Sequence, residues 1–529
     1  MVNRTVAWLG CALVLALVWV PAGAGEGTAP PPPDAKPPEK AEATQAAEKP
    51  PPPAKEATPE VKAPERVSVL DQIKHPIPYF TWGGDIRIRQ EYHHNLYDFQ
   101  DEHKVYDPKT KEYHTQGRDD RNVIRTRYRL WGNVGPFLTD PELTARKIPN
   151  GLSFYGRLIY EPRYYSQYEP APNPPLPDPD WNEVAVDQLY LDWQRIGGLP
   201  VSWRFGRQEL HYGRDFIFGE GTSSDGSRTA YFDACKLTLH LDEIKSKIDF
   251  LCIHNRGDES DRLEPWNWEN IQHPVSEYDV DARGVYFTSK IIPNHEIGAY
   301  YIGKHDDPIP LYVAKKFKEN TIRTVGVILQ GKTGPWDYYA EGAGQSGKFG
   351  DQRQRAYAFS SDLGYTFKEV DWTPRLHGEY EYLSGDDPNT KGTHEGWDPV
   401  FSRWPRWSEA LYYHFNKEYG KTGYWTNLQR FTLGASAKPL PSLTLAIDKS
   451  LILANEHDHG TTGVYGHGLT RGCLCSPKII WDVDQYVKMD RNVRVQLHLW
   501  LDYIQPGDFY GKDNRDDVAF LRWQFLITF

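Results

Sequence analysis

The stretch VAFLRWQFLITF, residues 518–529, alternates strictly and ends on an aromatic residue. In an extended strand successive side chains point to opposite sides. Ala519, Leu521, Trp523, Phe525, Ile527 and Phe529 therefore share one face, while Arg522, Gln524 and Thr528 share the other. Such a strand presents one face to an apolar medium and one to a polar medium. The pattern recurs at the start of the patterned region, where Phe80, Trp82, Ile86, Ile88 and Tyr92 oppose Asp85, Arg87, Arg89 and Glu91.

Between these two stretches the period-two reading predicts further strands at 122–134, 152–163, 183–194, 201–210, 230–241, 247–255, 281–290, 295–304, 321–331, 336–346, 353–367, 373–384, 424–438, 442–453, 477–488 and 493–504, with no convincing helix. That makes about 18 strands, an even number of the kind used by single-chain bacterial barrels. Connections after even-numbered strands are mostly short, and those after odd-numbered strands are mostly long, including 94–121, 211–229, 385–422 and 454–476. The segment 135–151 and the short link 347–352 fit less well. Segregation of loop lengths to two ends is the habit of outer-membrane barrels, with periplasmic turns and extracellular loops. On this reading 518–529 is the closing strand, pairs with the first, and carries Phe529 as the signal for the barrel-assembly machinery.

Composition agrees. Of 529 residues only 39% are hydrophobic, yet aromatics reach 14%, with 33 Tyr and 18 Trp; mean hydropathy is -0.67. Helical membrane proteins need spans of roughly 20 apolar residues, and none follows the N-terminal segment. A barrel needs apolar residues only at alternate positions and places Trp and Tyr at the interfaces. A net charge of -11 argues against nucleic acid, whose phosphates call for a basic face.

Residues 1–24 read as a secretory signal peptide: Arg4, an apolar run from Val6 to Val20, then Ala22-Gly23-Ala24. Residues 25–78, with Pro30 to Pro33 and Pro50 to Pro53, read as a disordered Pro-rich tether, either a spacer with periplasmic contacts or an idle linker. Residues 79–529 are the expected transmembrane, up-and-down antiparallel β-barrel, an all-β fold.

Local motifs resemble the alginate-export family of outer-membrane proteins. They are Gly206-Arg207-Gln208-Glu209-Leu210 with Tyr212-Gly213, Phe232-Asp233, Tyr339-Ala340-Glu341 with Gln345, Tyr380-x-Tyr382-x-Ser384-Gly385-Asp386, and Asp398-Pro399-Val400-Phe401. Their order and spacing carry the resemblance across Tyr79 to Phe529. It implies an 18-stranded barrel that passes an acidic polysaccharide through an electropositive constriction.

If apolar faces meet lipid, the opposite faces line a lumen. Arg87, Arg89, Arg125, Arg127, Arg129, Arg157 and Arg163 then gather on the first three strands. Guanidinium groups bind carboxylates bidentately and stay charged, so they suit a polyuronate. Glu341, Gln345, Asp482 and Asp484 complete the expected pore-lining, substrate-binding set. The alternative is a bracing Arg–carboxylate network with Glu91, Glu161, Asp192, Glu379, Glu381, Asp482 and Asp484. The pairs Glu379/Glu381 and Asp482/Asp484 also have a separation that glycoside hydrolysis tolerates. A wet lumen displays such pairs equally well, and no catalytic motif accompanies them.

Cys235 and Cys252 lie symmetrically about the turn 242–246, which leaves a cross-strand disulfide or two lipid-facing thiols open. Cys473 and Cys475 fall in the predicted loop 454–476 with His457, His459 and His467, where a zinc site, a loop disulfide or neither is compatible with the spacing. No cofactor and no metal is expected. The leading expectation is a non-enzymatic outer-membrane channel that passes an acidic or polar polysaccharide or oligosaccharide by facilitated diffusion, with loop 385–422 narrowing its mouth. The rivals are a small-solute porin and a secreted polysaccharide-degrading enzyme.

Overall fold

The computed structural model describes residues 73–529 except 75, 96–98, 100–102, 108–111, 117–119, 169–182, 220–230, 257–262, 264, 268–277, 309–317, 403–404, 420–422, 458–465 and 484–492. The expected signal peptide and most of the tether lie outside these residues, as do His459 and Asp484.

Eighteen long strands form one closed antiparallel sheet. They are β1 (Phe80–His94), β2 (Arg121–Phe137), β3 (Gly151–Tyr160, continued by Arg163–Tyr168), β4 (Glu183–Gln194), β5 (Val201–Gln208), β6 (Phe232–Leu241), β7 (Ser246–Asn255), β8 (Tyr278–Ser289) and β9 (His295–Pro308). The second half comprises β10 (Asn320–Thr333), β11 (Trp336–Phe349), β12 (Gln352–Thr366), β13 (Arg375–Leu383), β14 (Leu428–Leu440), β15 (Leu443–Leu453), β16 (Thr470–Asp482), β17 (Arg494–Pro506) and β18 (Val518–Thr528). Each pairs with its sequence neighbours, and β18 closes on β1 from Asp85 opposite Thr528 to His94 opposite Ala519. Closure removes the unpaired edges that lipid could not solvate.

The alternation has the expected meaning. On β10, Ile322 and Thr324 are buried inside the barrel while Val325 and Val327 are 55% and 61% exposed on its outside. On β18, Phe520, Arg522 and Gln524 face in, and Leu521 and Trp523 face out. Short turns at 195–200, 242–245, 290–294, 334–335, 367–374 and 441–442 mark one rim; long connections at 95–120, 209–231, 256–277, 384–427 and 454–469 mark the other. The two irregular links have physical explanations. The β2–β3 connection holds a short helix, α1 (Pro141–Ala145), where Asp140 accepts the Leu143 N–H at 3.0 Å, and β11 and β12 meet in a tight turn at 350–351.

Two expectations need correction. The predicted strand 477–488 is displaced: β16 runs Thr470–Asp482, so Cys473 and Cys475 belong to a strand and not to the loop with His457 and His467. Leu474 and Ser476, which alternate with them, are buried inward, and this turns both thiols outward. The predicted absence of helix also fails within 385–422, where α2 (Ala410–Tyr419) forms. Cys235 does lie opposite Cys252; both are free thiols, and Trp203 Nε1 donates to Cys235 Sγ at 3.0 Å.

Candidate functional site within the lumen

The inward faces of β1 to β3 carry the predicted arginines, held with Arg522 of β18 in a network with carboxylates. Glu161 accepts from Arg87 at 2.7 Å, Arg125 at 2.7 Å and Arg163 at 3.2 Å. Glu91 joins Arg125 at 3.1 Å, Arg522 at 2.9 Å and Arg89 at 3.3 Å. Asp85 binds Arg127 and Arg129 at 2.5 and 2.6 Å, and Arg157 reaches Asp187 at 2.7 Å and Glu209 at 2.5 Å. Arg87, Arg89, Arg125 and Arg127 are all buried. Charges removed from water persist only when paired and hydrogen-bonded, and here each of these arginines has its carboxylate. The wall of β1 to β4 is thereby braced.

Two long connections fold into the barrel. Segment 209–219 contributes Leu210, Tyr212, Phe216, Ile217 and Phe218 to a buried apolar cluster; segment 384–427 contributes Trp397, Phe401, Trp425 and, from α2, Leu411, Phe415 and Tyr419. Phe218 stacks on Phe401 at 5.1 Å, and 218–219 pairs with 401–402 as a short parallel bridge. Polar anchors fix α2 to the wall. Asp502 accepts from Ser408 Oγ at 2.9 Å and from the Glu409 N–H at 3.0 Å, placing an anion at the helix start, where the macrodipole favours it. Arg522 reaches Glu409 at 2.8 Å, and Arg471 forks onto Glu418 with two bonds of 2.8 Å. Burial would raise the Glu418 carboxyl, but Arg471 and His414 outweigh it and hold the group down at about 2.

The motif residues behind the family resemblance are the ones that seat these loops. Gly206 has φ +123, and a Cβ there would lie 2.3 Å from the Leu189 carbonyl oxygen. Gly213 has φ +59, and a Cβ would press on Ile328 at 2.8 Å. Both positions demand glycine. Arg207 forks onto Asp233 at 2.9 and 3.0 Å, and Tyr212 donates to Asp249 at 3.0 Å. Glu341 accepts from Tyr300 at 2.8 Å and Tyr339 at 2.5 Å. Gln345 donates to the Asp398 carbonyl at 2.7 Å and accepts the Asp398 N–H at 3.0 Å, so it pins segment 384–427. Asp482 sits exposed at the end of β16, accepting from Gln496 at 2.9 Å. Glu379 and Glu381 both accept from Arg430, at 2.8 and 3.0 Å.

Residues 157–451 match the model of the "Alginate export" family, more than half of the chain. The chain belongs to the alginate-export family. Solved barrels of similar shape include Acinetobacter baumannii OccAB1, with 11% identity over 85% of this chain and 96% of that one and a TM-score of 0.49. Another is Pseudomonas aeruginosa OccK9 (OpdG), with 10% identity over 85% and 98% and a TM-score of 0.49. No curated protein matches the chain. As a family member with a closed barrel, the protein is an outer-membrane channel for solute or polysaccharide passage, in contact with lipid.

Beneath the inward segments, toward the short-turn rim, lies a cavity of about 300 Å³. Arg214, Arg406, Arg430 and Lys478 bring cations to it, and Trp407 and Trp425 bring indoles. The arginines are paired: Arg214 with Asp362 at 2.7 Å, Arg406 with Asp215 at 2.6 Å, and Arg430 with Glu379 and Glu381. Lys478 has no ion-pair partner among the described residues; its ammonium lies 4.3 Å from the centre of the Trp500 ring. Sequence reasoning passed over Lys478 although the predicted strand 477–488 carries it on the face of Asp482 and Asp484, and missed Arg214, Arg406, Trp407 and Trp425 because they sit on loops whose inward fold has no periodic signature. At the edge of this cavity, His211 lies 3.2 Å from Asp215 and 3.8 Å from Glu209. Those two carboxylates raise the imidazole to about 9.

Proposed function

We propose that the barrel passes a polar or acidic oligosaccharide or polysaccharide by facilitated diffusion, with the cavity beneath the two inward segments as its sugar-binding station. The observation that supports this is the meeting of Lys478 and three arginines with Trp407 and Trp425 in one chamber inside the lumen. Indoles offer apolar faces to sugar rings, and the remaining guanidinium and ammonium N–H groups donate to hydroxyls or carboxylates. Conduction needs sites strong enough to admit a solute and weak enough to release it. Arginines already shared with carboxylates suit that compromise, because a uronate gains only their spare donors.

A second reading, a small-solute porin, is favoured by the size of the chamber, since about 300 Å³ lies at the lower end of ligand-pocket volumes. Conductance of the purified barrel in a planar bilayer separates the two. Oligouronates and neutral oligosaccharides added to the short-turn side should interrupt the current, and Lys478→Gln should weaken uronate block selectively. Free passage of monosaccharides with no block by any oligomer would leave the porin reading standing and remove the polysaccharide one.

A further inference from the structure

The outside of the barrel carries a second charged feature, separate from the lumen. In register across β8 to β12, Arg283, Gly303, Arg323, Ser346 and Arg355 are successive neighbours on the lipid-facing side. The next outward row toward the long loops contains His305, Thr321, Lys348 and Arg353. The next row toward the short turns is Val285, Tyr301, Val325, Gly344 and Tyr357. All five cations are exposed, and none has an ion-pair partner among the described residues. Neighbouring acids are already engaged: Asp281 by His254 at 2.5 Å and by Arg256 at 3.5 Å, and Asp351 by Lys318.

This arrangement opposes two ordinary preferences. Lys348 and Arg353 stand directly opposite each other on adjacent strands, where like charges destabilise a sheet. Charges on the lipid face are tolerated near an interface and disfavoured deeper. The rows therefore lie at the upper boundary of the apolar belt, with Tyr301 and Tyr357 just below in the position of interfacial aromatics; Arg355 Nε donates to Tyr357 Oη at 3.3 Å. Arg323 and Arg355 flank β11, about 10 Å apart, wide enough for more than one phosphate. Among the described residues no carboxylate forms an ion pair with the five, and Glu395 acts on Arg355 only at longer range, so a counter-ion from the surroundings fits the face. The long-loop side of an outer-membrane barrel faces the outer leaflet, whose glycolipid carries phosphate at that depth.

We propose that Arg283, Arg323, Lys348, Arg353 and Arg355 form a docking face for the phosphorylated headgroup of an outer-leaflet glycolipid. Clustered lysines and arginines beside a membrane surface read as anionic-headgroup sites. The test uses the full barrel in detergent, titrated with lipopolysaccharide and followed by native mass spectrometry. The quadruple variant Arg323→Gln, Lys348→Gln, Arg353→Gln, Arg355→Gln should bind it at least about tenfold more weakly. The control Lys449→Gln, which removes an exposed outward cation from β15, should bind as wild type. Heat-modifiable migration reports whether each variant is folded. If the quadruple variant does not fold, the wild type still decides: binding must weaken with added salt and with enzymatic removal of the lipid phosphates. Affinity that survives dephosphorylation or salt, a folded quadruple variant with unchanged binding, or inorganic phosphate displacing the lipid at equal concentration would overturn the proposal.

Discussion

The fork between Arg471 on β16 and Glu418 on α2 offers the sharpest test of whether segment 384–427 is held in the lumen by charge. Both side chains are about 1 to 2% exposed, and both N–H bonds measure 2.8 Å. Glu418→Gln removes the countercharge and leaves the Arg471 guanidinium buried beside Phe509 and the hydroxyls of Tyr419 and Tyr510. Removing one partner of a buried pair costs about 3 to 5 kcal/mol. If that cost falls on the docked state of the segment, the undocked population rises by roughly a hundredfold to several thousandfold, at 1.4 kcal/mol per decade. The assay is single-channel recording in a planar bilayer. Glu418→Gln should raise the open-state occupancy or mean conductance, while the folded barrel survives on unboiled detergent gels. The acidic variant Glu418→Asp, which keeps the charge, should stay closer to wild type. Unchanged conductance in Glu418→Gln, with α2 still protected from protease, would refute the claim that this pair latches the segment.

Other outcomes follow from the same geometry. Glu161→Gln weakens the hold on Arg87, Arg125 and Arg163 together and should cost about 3 to 5 kcal/mol, read as a lower denaturant midpoint for loss of the heat-modifiable band. Arg163→Gln, at a more exposed site, should cost clearly less. Asp215 and Glu209 raise His211 to about 9, so its pairing supports the seating of segment 209–219 fully below pH about 6.5 and is lost as the pH rises through about 9. Conductance measured from pH 6 to 10 should change across that window in the wild type and not in His211→Gln. Its imidazole is 40% exposed, so solvent screens the effect. Trp407→Ala should shorten oligosaccharide dwell times without lowering the denaturant midpoint as far as Glu161→Gln does.

The barrel was legible because lipid and lumen write opposite requirements at alternate positions. Phe80 to Tyr92 and residues 518–529 show that alternation, and their pairing across the closure was deducible from the even strand count. The β16 displacement arises at Pro477. A proline lacks the donor for a ladder and is usually read as a strand's first residue, so the run 470–476 went to the loop. The structure places Pro477 inside β16 opposite Ile447, and the ladder to β17 lapses between Cys475 and Lys478. The helix α2 escaped notice for a different reason. Its sequence ALYYHFNKEY is rich in aromatic residues of middling helix propensity, and tertiary burial against Phe99, Phe509 and the wall, with the anchors at Asp502 and Arg471, stabilises it.

The arginines of β1 to β3 are turned inward and mostly buried, yet their number is a poor guide to the field a solute meets. Arg87, Arg89, Arg125, Arg127 and Arg129 share Asp85, Glu91 and Glu161, and a buried pair with matched charge projects little beyond its partners. What remains for a solute is set by cations whose charge is not already answered. Among the described residues in the cavity the cation that forms no ion pair is Lys478, which rests on the Trp500 ring beside the paired Arg430 and feels Asp448 and Asp502 only at longer range. A single lysine on the short-turn side should therefore govern selectivity for acidic sugars more than the whole arginine array of β1 to β3. Lys478→Gln should reduce uronate block several-fold, while Arg127→Gln, which leaves Asp85 its bond to Arg129, should leave block nearly unchanged. The opposite ordering in the same bilayer experiment would return the selectivity to the arginines.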